Sequence, residues 1–288
     1  MSTSAEPSGV DPREWTLVAG GVPLRVRVSG TGPTLLLLNG LGAPMQVFEP
    51  LVSWFPGRRL VRFDPPGVGG VPAPRCPLPL RRIARAAVAL LDELGVDRTD
   101  VLGVSMGGGI AQELARRAPH RVRRLVLVST SCGWAGVPMR PGAALALARL
   151  DRFQSPERYR ALAPRLLGGR TACDDDALRR HTAVMTAAPH DPRGYLWQLA
   201  AAAAWTSAHW LHRIRCPVLV LHGDADPLVP VGNARLLAAL LPDARLVLVP
   251  GGGHLVLFDT PEVTVPAIRR FLEHDRPAVR RDPANEWR

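Results

Sequence analysis

The sequence predicts an α/β fold: a mostly parallel central sheet with helices on both faces and an inserted helical cap. Short runs of Val and Leu recur along the chain, each closed by a turn rich in Gly, Asn or Asp, which is the pattern of buried strands. Segments with apolar residues at helical spacing alternate with them, and strands alternating with helices imply parallel pairing. Between residues 133 and 212 the alternation stops. That stretch is rich in Ala and Arg, helical in pattern and interrupted by prolines at 138, 141, 156, 164, 189 and 192.

Taken in order, residues 1–10 and 276–288 are polar and predicted to be disordered tails. Residues 11–132 form the first part of the core. Within it, 14–19 and 22–28 read as a hairpin turning on Gly20-Gly21. Residues 34–38 are a fully apolar strand followed by Asn39-Gly40-Leu41-Gly42, and 59–63 are another, followed by Asp64-Pro65-Pro66-Gly67-Val68-Gly69-Gly70. Residues 80–94 have helical spacing and stop at Gly95. An apolar run at 100–102, a helix up to Ala118 and a strand at 125–128 follow. Residues 133–212 are the cap, and 213–275 complete the core with two more strands, near 219–222 and 246–249. In Thr260-Pro261-Glu262, a capping threonine, a proline at N1 and an acid in the first turn open the last helix.

Composition narrows the function classes. The chain has 288 residues, 47% of them hydrophobic, enough for one domain with an insertion. Its net charge is +11, yet every one of its 36 basic side chains is arginine, scattered mostly as doublets such as Arg58-Arg59 and Arg116-Arg117. Dispersed doublets read as solvated faces, so no nucleic-acid partner is expected. Cys76, Cys132, Cys173 and Cys216 form no Cys-x-x-Cys pair, so neither a metal site nor a disulfide framework is expected. The first residues lack a basic and apolar leader, and no apolar run is long enough to span a bilayer. A cytoplasmic protein without a transmembrane segment or cofactor is the expectation; its oligomeric state is left open.

Chemistry enters at Gly103-Val104-Ser105-Met106-Gly107, between an apolar strand and a helix-like segment. A serine with glycine at −2 and +2 in that setting fits a nucleophile elbow, a turn too tight for side chains on either side. Asp226 follows the apolar run 219–222, and His254 follows the run 246–249 and Gly251-Gly252-Gly253. Ser105, then Asp226, then His254 is the α/β-hydrolase order. His254 would take the serine proton and return it to the leaving alcohol, while Asp226 would orient the imidazole. Asp224 is the rival acid, read instead as a loop-bonding residue. Backbone N–H groups of Leu41 and Met106 are the expected oxyanion donors.

Other patterns are discounted. Gly67-Val68-Gly69-Gly70 has the wrong spacing for a dinucleotide loop. His209 and His212 have a metal-like spacing without a carboxylate or cysteine partner. His254 and Asp259 form a His-x-x-x-x-Asp string, but that aspartate reads as the entry of the last helix. Tryptophans 197, 205 and 210 are candidate substrate-binding residues of the cap, beside the bland reading that they are its own core.

With these residues in place, the chain resembles intracellular depolymerases of medium-chain-length poly(3-hydroxyalkanoate), from about residue 35 to 271. The resemblance is carried by Asn39-Gly40-Leu41-Gly42-Ala43, Phe63-Asp64-Pro65-Pro66-Gly67-Val68-Gly69-Gly70 and Gly103-Val104-Ser105. Its most specific part is Tyr195-Leu196-Trp197-Gln198-Leu199 with Trp205-Thr206-Ser207-Ala208-His209-Trp210-Leu211-His212, completed by Asp224-Ala225-Asp226-Pro227-Leu228-Val229-Pro230 and Gly253-His254-Leu255. Met106 stands where that family suggests tryptophan, and Gly251-Gly252-Gly253 where it suggests acidic residues. The resemblance implies Ser105, Asp226 and His254 as the triad of a serine carboxylester hydrolase. It also implies a polyester substrate, 3-hydroxyacyl products and association with a granule surface. The alternatives are the same chemistry on a small ester, lactone or thioester, and a non-catalytic ligand- or granule-binding protein.

Overall fold

The computed structural model describes residues 13–153, 155–187 and 191–273; the expected disordered tails, 1–10 and 276–288, lie outside them. Eight strands form one sheet: β1 (Arg13–Ala19), β2 (Val22–Ser29), β3 (Thr34–Leu38), β4 (Arg59–Asp64), β5 (Thr99–Val104), β6 (Val122–Val128), β7 (Val218–Gly223) and β8 (Ala244–Val249). Their spatial order is β1-β2-β4-β3-β5-β6-β7-β8. β1 and β2 pair antiparallel about the Gly20-Gly21 turn, and β2 pairs antiparallel with β4. Every pairing from β4 through β3 to β8 is parallel.

Two-sided burial explains why the inner strands β3, β5, β6 and β7 read as largely apolar runs. Successive side chains point to opposite faces. Leu36, Leu38, Val101, Leu125, Leu127, Val218 and Val220 therefore join one core layer, while Leu35, Leu37, Leu102, Val104, Val126, Val128, Leu219 and Leu221 join the other. The first layer is closed by helices α1 (Leu80–Glu93) and α2 (Met106–Arg117). In α1 the buried positions Leu80, Ile83, Ala84, Ala87, Leu90 and Leu91 make one helical stripe. It stops where Gly95 adopts φ +63° and lets Val96 N–H reach back to the Leu91 carbonyl at 2.9 Å.

Between β6 and β7 the described residues form five α-helices: α3 (Pro141–Ala148), α4 (Pro156–Leu167), α5 (Gly169–Cys173), α6 (Asp175–Ala187) and α7 (Pro192–Ala203). Ser155 and Asp191 cap α4 and α7 through side-chain oxygens, each followed by proline at N1. These helices share a small core of their own, including Tyr159, Ala163, Leu166 and Met185, which reaches the main body at Leu255. After β7 come α8 (Gly232–Leu240), α9 (Val256–Asp259) and α10 (Pro261–Glu273). The Thr260 hydroxyl donates back to the Val256 carbonyl at 2.8 Å, so it joins α9 to α10 and does not accept from the first turn as a capping hydroxyl would.

Candidate active site

The C-terminal edge of the parallel strands, where loops of open α/β sheets collect functional groups, carries all three chemistry-bearing residues. Ser105 sits between β5 and α2 with φ 54° and ψ −120°, a conformation that costs a non-glycine residue of order 1–3 kcal/mol and persists only when its surroundings hold it. They do. Ser105 N–H donates to the Val128 carbonyl at 2.9 Å, and the Ser105 carbonyl accepts from Gly108 N–H at 2.9 Å and the Thr130 hydroxyl at 2.7 Å. A Cβ at Gly103 would strike the Gly107 backbone, and one at Gly107 would strike the carbonyls of Leu38 and Asn39. The turn therefore requires glycine on both sides of the serine.

Asp226 follows β7 in a turn stabilised by its own side chain. Its Oδ1 accepts the N–H groups of Leu228 and Val229, both at 2.9 Å. Its Oδ2 lies 2.8 Å from His254 Nδ1. Both residues are buried. With Nδ1–H donating to the carboxylate, the imidazole keeps Nε2 as an acceptor. His254 N–H donates to the Leu167 carbonyl at 2.6 Å, so the end of α4 fixes the histidine backbone. Asp224, the rival acid, accepts Gly251 N–H at 2.7 Å and ties the two loops together. His222, at the end of β7, donates from Nε2 to the Val229 carbonyl at 2.8 Å and lies 3.6 Å from Asp226 Oδ2. Burial lowers its pKa, so it supports the acid loop as a neutral ring.

Two cavities meet at Ser105. The smaller, about 90 Å³, is lined by Ser105, His254, Leu41 and apolar side chains from the inserted helices. The larger, about 550 Å³, is lined by Ser105, Leu41, Met106, Trp134, Met139 and Trp205 among others, but not by His254. Met106 is the first residue of α2, so its N–H has no helical partner one turn back. The loop carrying Leu41 is held from the inserted helices: Gly42 N–H donates to Gln198 Oε1 at 3.0 Å, and Gln198 Nε2 donates to the Pro66 carbonyl at 3.3 Å.

Of tryptophans 197, 205 and 210, Trp205 alone lines either of these two cavities. Trp205 lines the larger cavity, with Nε1 donating to Glu113 at 2.9 Å. Trp197 is half-buried and donates from Nε1 to the Pro74 carbonyl at 3.1 Å. Trp210 is 2% exposed, packs edge-on to Trp205 and lies beneath the Arg116 guanidinium at 4.7 Å. The expectation that Trp210 meets substrate is corrected: its ring is core, anchored between α2 and the segment entering β7. Trp134 is instead the exposed tryptophan of the region, 68% accessible, at the wall of the larger cavity. Sequence reasoning also missed Tyr159 and His181, which line the smaller cavity and bond each other at 2.9 Å. They lie 22 residues apart on two helices, a spacing that carries no signal.

The α/β hydrolase fold family matches residues 33–261. The chain belongs to the α/β-hydrolase fold family. The poly(3-hydroxyalkanoate) depolymerase of Ectopseudomonas oleovorans is 38% identical to this hydrolase over 243 residues, covering 84% of this chain and 85% of that one. The pimeloyl-[acyl-carrier protein] methyl ester esterase of Aromatoleum aromaticum is 35% identical over 243 residues, covering 80% and 94%. Among solved structures, a hydrolase from Pseudomonas aeruginosa PA01 superposes with a TM-score of 0.77 at 27% identity, covering 91% of this chain and 99% of that one. The enol-lactonase of Burkholderia xenovorans LB400, at 24% identity and TM-score 0.78 over 90% and 100%, shares the fold. Among the described residues of this hydrolase, no helix is long and apolar enough to cross a membrane.

Proposed function

We propose that this hydrolase is a serine carboxylester hydrolase that cleaves medium-chain-length poly(3-hydroxyalkanoate) through an acyl-enzyme on Ser105. One arrangement carries the reading: a strained, exposed-edge serine opens onto the same cavity as His254, whose other nitrogen is held by a buried carboxylate. Ser105 Oγ attacks the ester carbonyl as His254 Nε2 takes its proton. The N–H groups of Leu41 and Met106 receive the developing oxyanion. His254 then returns the proton to the departing alkoxide, leaving the acyl group on Ser105. Water, deprotonated by the same imidazole, then attacks the acyl carbonyl. The bond to Ser105 Oγ breaks, the imidazolium returns the proton to that oxygen, and the acid leaves. Asp226 keeps Nδ1 protonated and stabilises the imidazolium.

The polyester substrate is supported by the 38% identity to a poly(3-hydroxyalkanoate) depolymerase. Residues 133–212 act as the cap over this site, in a cytoplasmic enzyme associated with granules. Exposed apolar side chains at the larger cavity, Trp134, Val137 and Met139, suit a lipid-like granule surface. A second reading, the same chemistry on a small ester, is favoured by the 35% identity to a methyl ester esterase. The intact set of Ser105, Asp226 and His254 argues against a purely binding role.

The test is direct. A fluorophosphonate labels Ser105 alone, Ser105→Ala abolishes turnover, and the wild-type protein releases 3-hydroxy acids from amorphous medium-chain granules. Labelling at another residue, or full activity in Ser105→Ala, defeats the mechanism. Turnover of soluble esters without release from granules gives the function to the second reading.

A further inference from the structure

The two cavities at Ser105 are chemically unequal. If the proposed function holds, the leaving oxygen takes its proton from His254, so the leaving part of the ester lies on the histidine side. That is the smaller cavity, which His254 lines. The acyl part then occupies the larger one, lined by Ser105, Leu41 and Met106.

Most of the smaller cavity is apolar: Val47, Phe48, Leu166, Met185 and Phe258 contribute to its wall. Apart from Ser105 and His254, its polar side chains among the described residues are Tyr159, on α4, and His181, on α6. Tyr159 Oη and His181 Nε2 are 2.9 Å apart. Burial, reinforced by the neighbouring His254, lowers the His181 pKa to about 4, so the pair is neutral near pH 7. A neutral phenol and a neutral imidazole carry two hydrogens on heteroatoms, and their mutual bond uses one. With Tyr159 O–H donating to His181 Nε2, the second hydrogen is the imidazole N–H of His181, on Nδ1. A few placed polar groups in an apolar pocket fix a ligand's orientation.

A 3-hydroxyalkanoate polyester supplies a matching acceptor. Its leaving unit has the pattern O–CH(R)–CH2–C(=O), with a carbonyl three bonds from the leaving oxygen and an alkyl branch beside it. We infer that Tyr159 and His181 form the specificity element of the leaving-group pocket, donating to that carbonyl while the apolar wall takes the alkyl branch. Simple alkyl and aryl esters have nothing for the pair to bind. A site that hydrogen-bonds one substrate discriminates against the analogue lacking the group, because its own polar atoms are then left unpaired.

Two esters with the same acyl part separate the possibilities: the octanoate of methyl 3-hydroxybutanoate and hexan-2-yl octanoate, whose alcohol chains have equal length. Release of octanoate is measured for wild type, His181→Leu and Tyr159→Phe, with fluorophosphonate labelling of Ser105 reporting an intact site. Wild type favours the carbonyl-bearing ester in kcat/KM by about tenfold or more. In both variants that ratio falls to within about threefold of unity, whatever happens to the absolute rates. An undiminished ratio in two labelled, folded variants overturns the inference and leaves the proposed chemistry standing. No octanoate from either ester with the wild type overturns both.

Discussion

His254 Nδ1 and Asp226 Oδ2 are 2.8 Å apart, while the other oxygen of the same carboxylate is held by two backbone N–H groups. The acid is thereby fixed before it orients the imidazole. Asp226→Asn puts an amide where, in the proposed mechanism, the carboxylate stabilises the imidazolium, and kcat falls by about 10⁴, the scale for a triad acid. Asp224→Asn weakens only the bond to Gly251 and costs less than about tenfold. Steady-state kinetics of the two variants on one soluble ester check the assignment; the reverse ranking would make Asp224 the acid.

Gln198 holds the loop of Leu41 through Gly42 and reaches the Pro66 carbonyl with its other end. Gln198→Leu removes both bonds and lets the proposed oxyanion donor drift. The loss appears in kcat, by about tenfold or more, since misplacing an oxyanion donor weakens an interaction made in the transition state. A change confined to KM would show that Gln198 only shapes the substrate channel.

Exposed and buried tryptophans separate by assay. Trp134→Ser, at the wall of the larger cavity, lowers hydrolysis of medium-chain granules by about tenfold yet changes soluble octanoate turnover by less than about threefold. Trp210→Ser removes a buried ring and lowers thermal stability, by about 3–5 kcal/mol on the scale of aromatic truncations in cores. Parallel granule-binding and melting measurements on both variants decide it. A melting loss for Trp134→Ser as large as that for Trp210→Ser would place Trp134 in the core's energetics.

The lowered pKa of His181 has a consequence for stability. Its folded value of about 4 lies below the unfolded value of 6.5, so between these pH values the unfolded chain binds more protons. Stability contributed by this group is therefore fully present above about pH 6.5 and declines as pH falls toward 4. Urea unfolding of wild type and His181→Leu across pH 4–7 tests this. The wild type loses stability toward acid relative to the variant in that window; equal pH slopes would contradict it.

How much was legible in the sequence depends on the kind of signal. Burial of both sheet faces follows from strands such as Thr34–Leu38 and Val218–Gly223, whose apolar runs state it without reference to any partner. The elbow was legible because its constraint is local: glycines 103 and 107 are required by contacts that a strand–turn–helix makes with its immediate neighbours. Chain order alone suggested that Asp226 and His254 belong with Ser105, and no sequence spacing could state the 2.8 Å between the last two.

Inside the inserted helices the sequence determined helix content and little else. The α7 sequence, Pro-Arg-Gly-Tyr-Leu-Trp-Gln-Leu-Ala-Ala-Ala-Ala, is apolar on nearly every side, so periodicity cannot tell which face turns inward. Tertiary packing chose it. It buried Tyr195 and Gln198, left Leu196 exposed and placed Trp197 at an intermediate depth. The same packing sank Trp210 beneath Arg116, left Trp134 in solvent and brought Tyr159 and His181 together from separate helices. Strand burial and tight turns are specified by neighbours along the chain, whereas the rotation of an Ala-rich helix is decided by the shape of the surface it lands on.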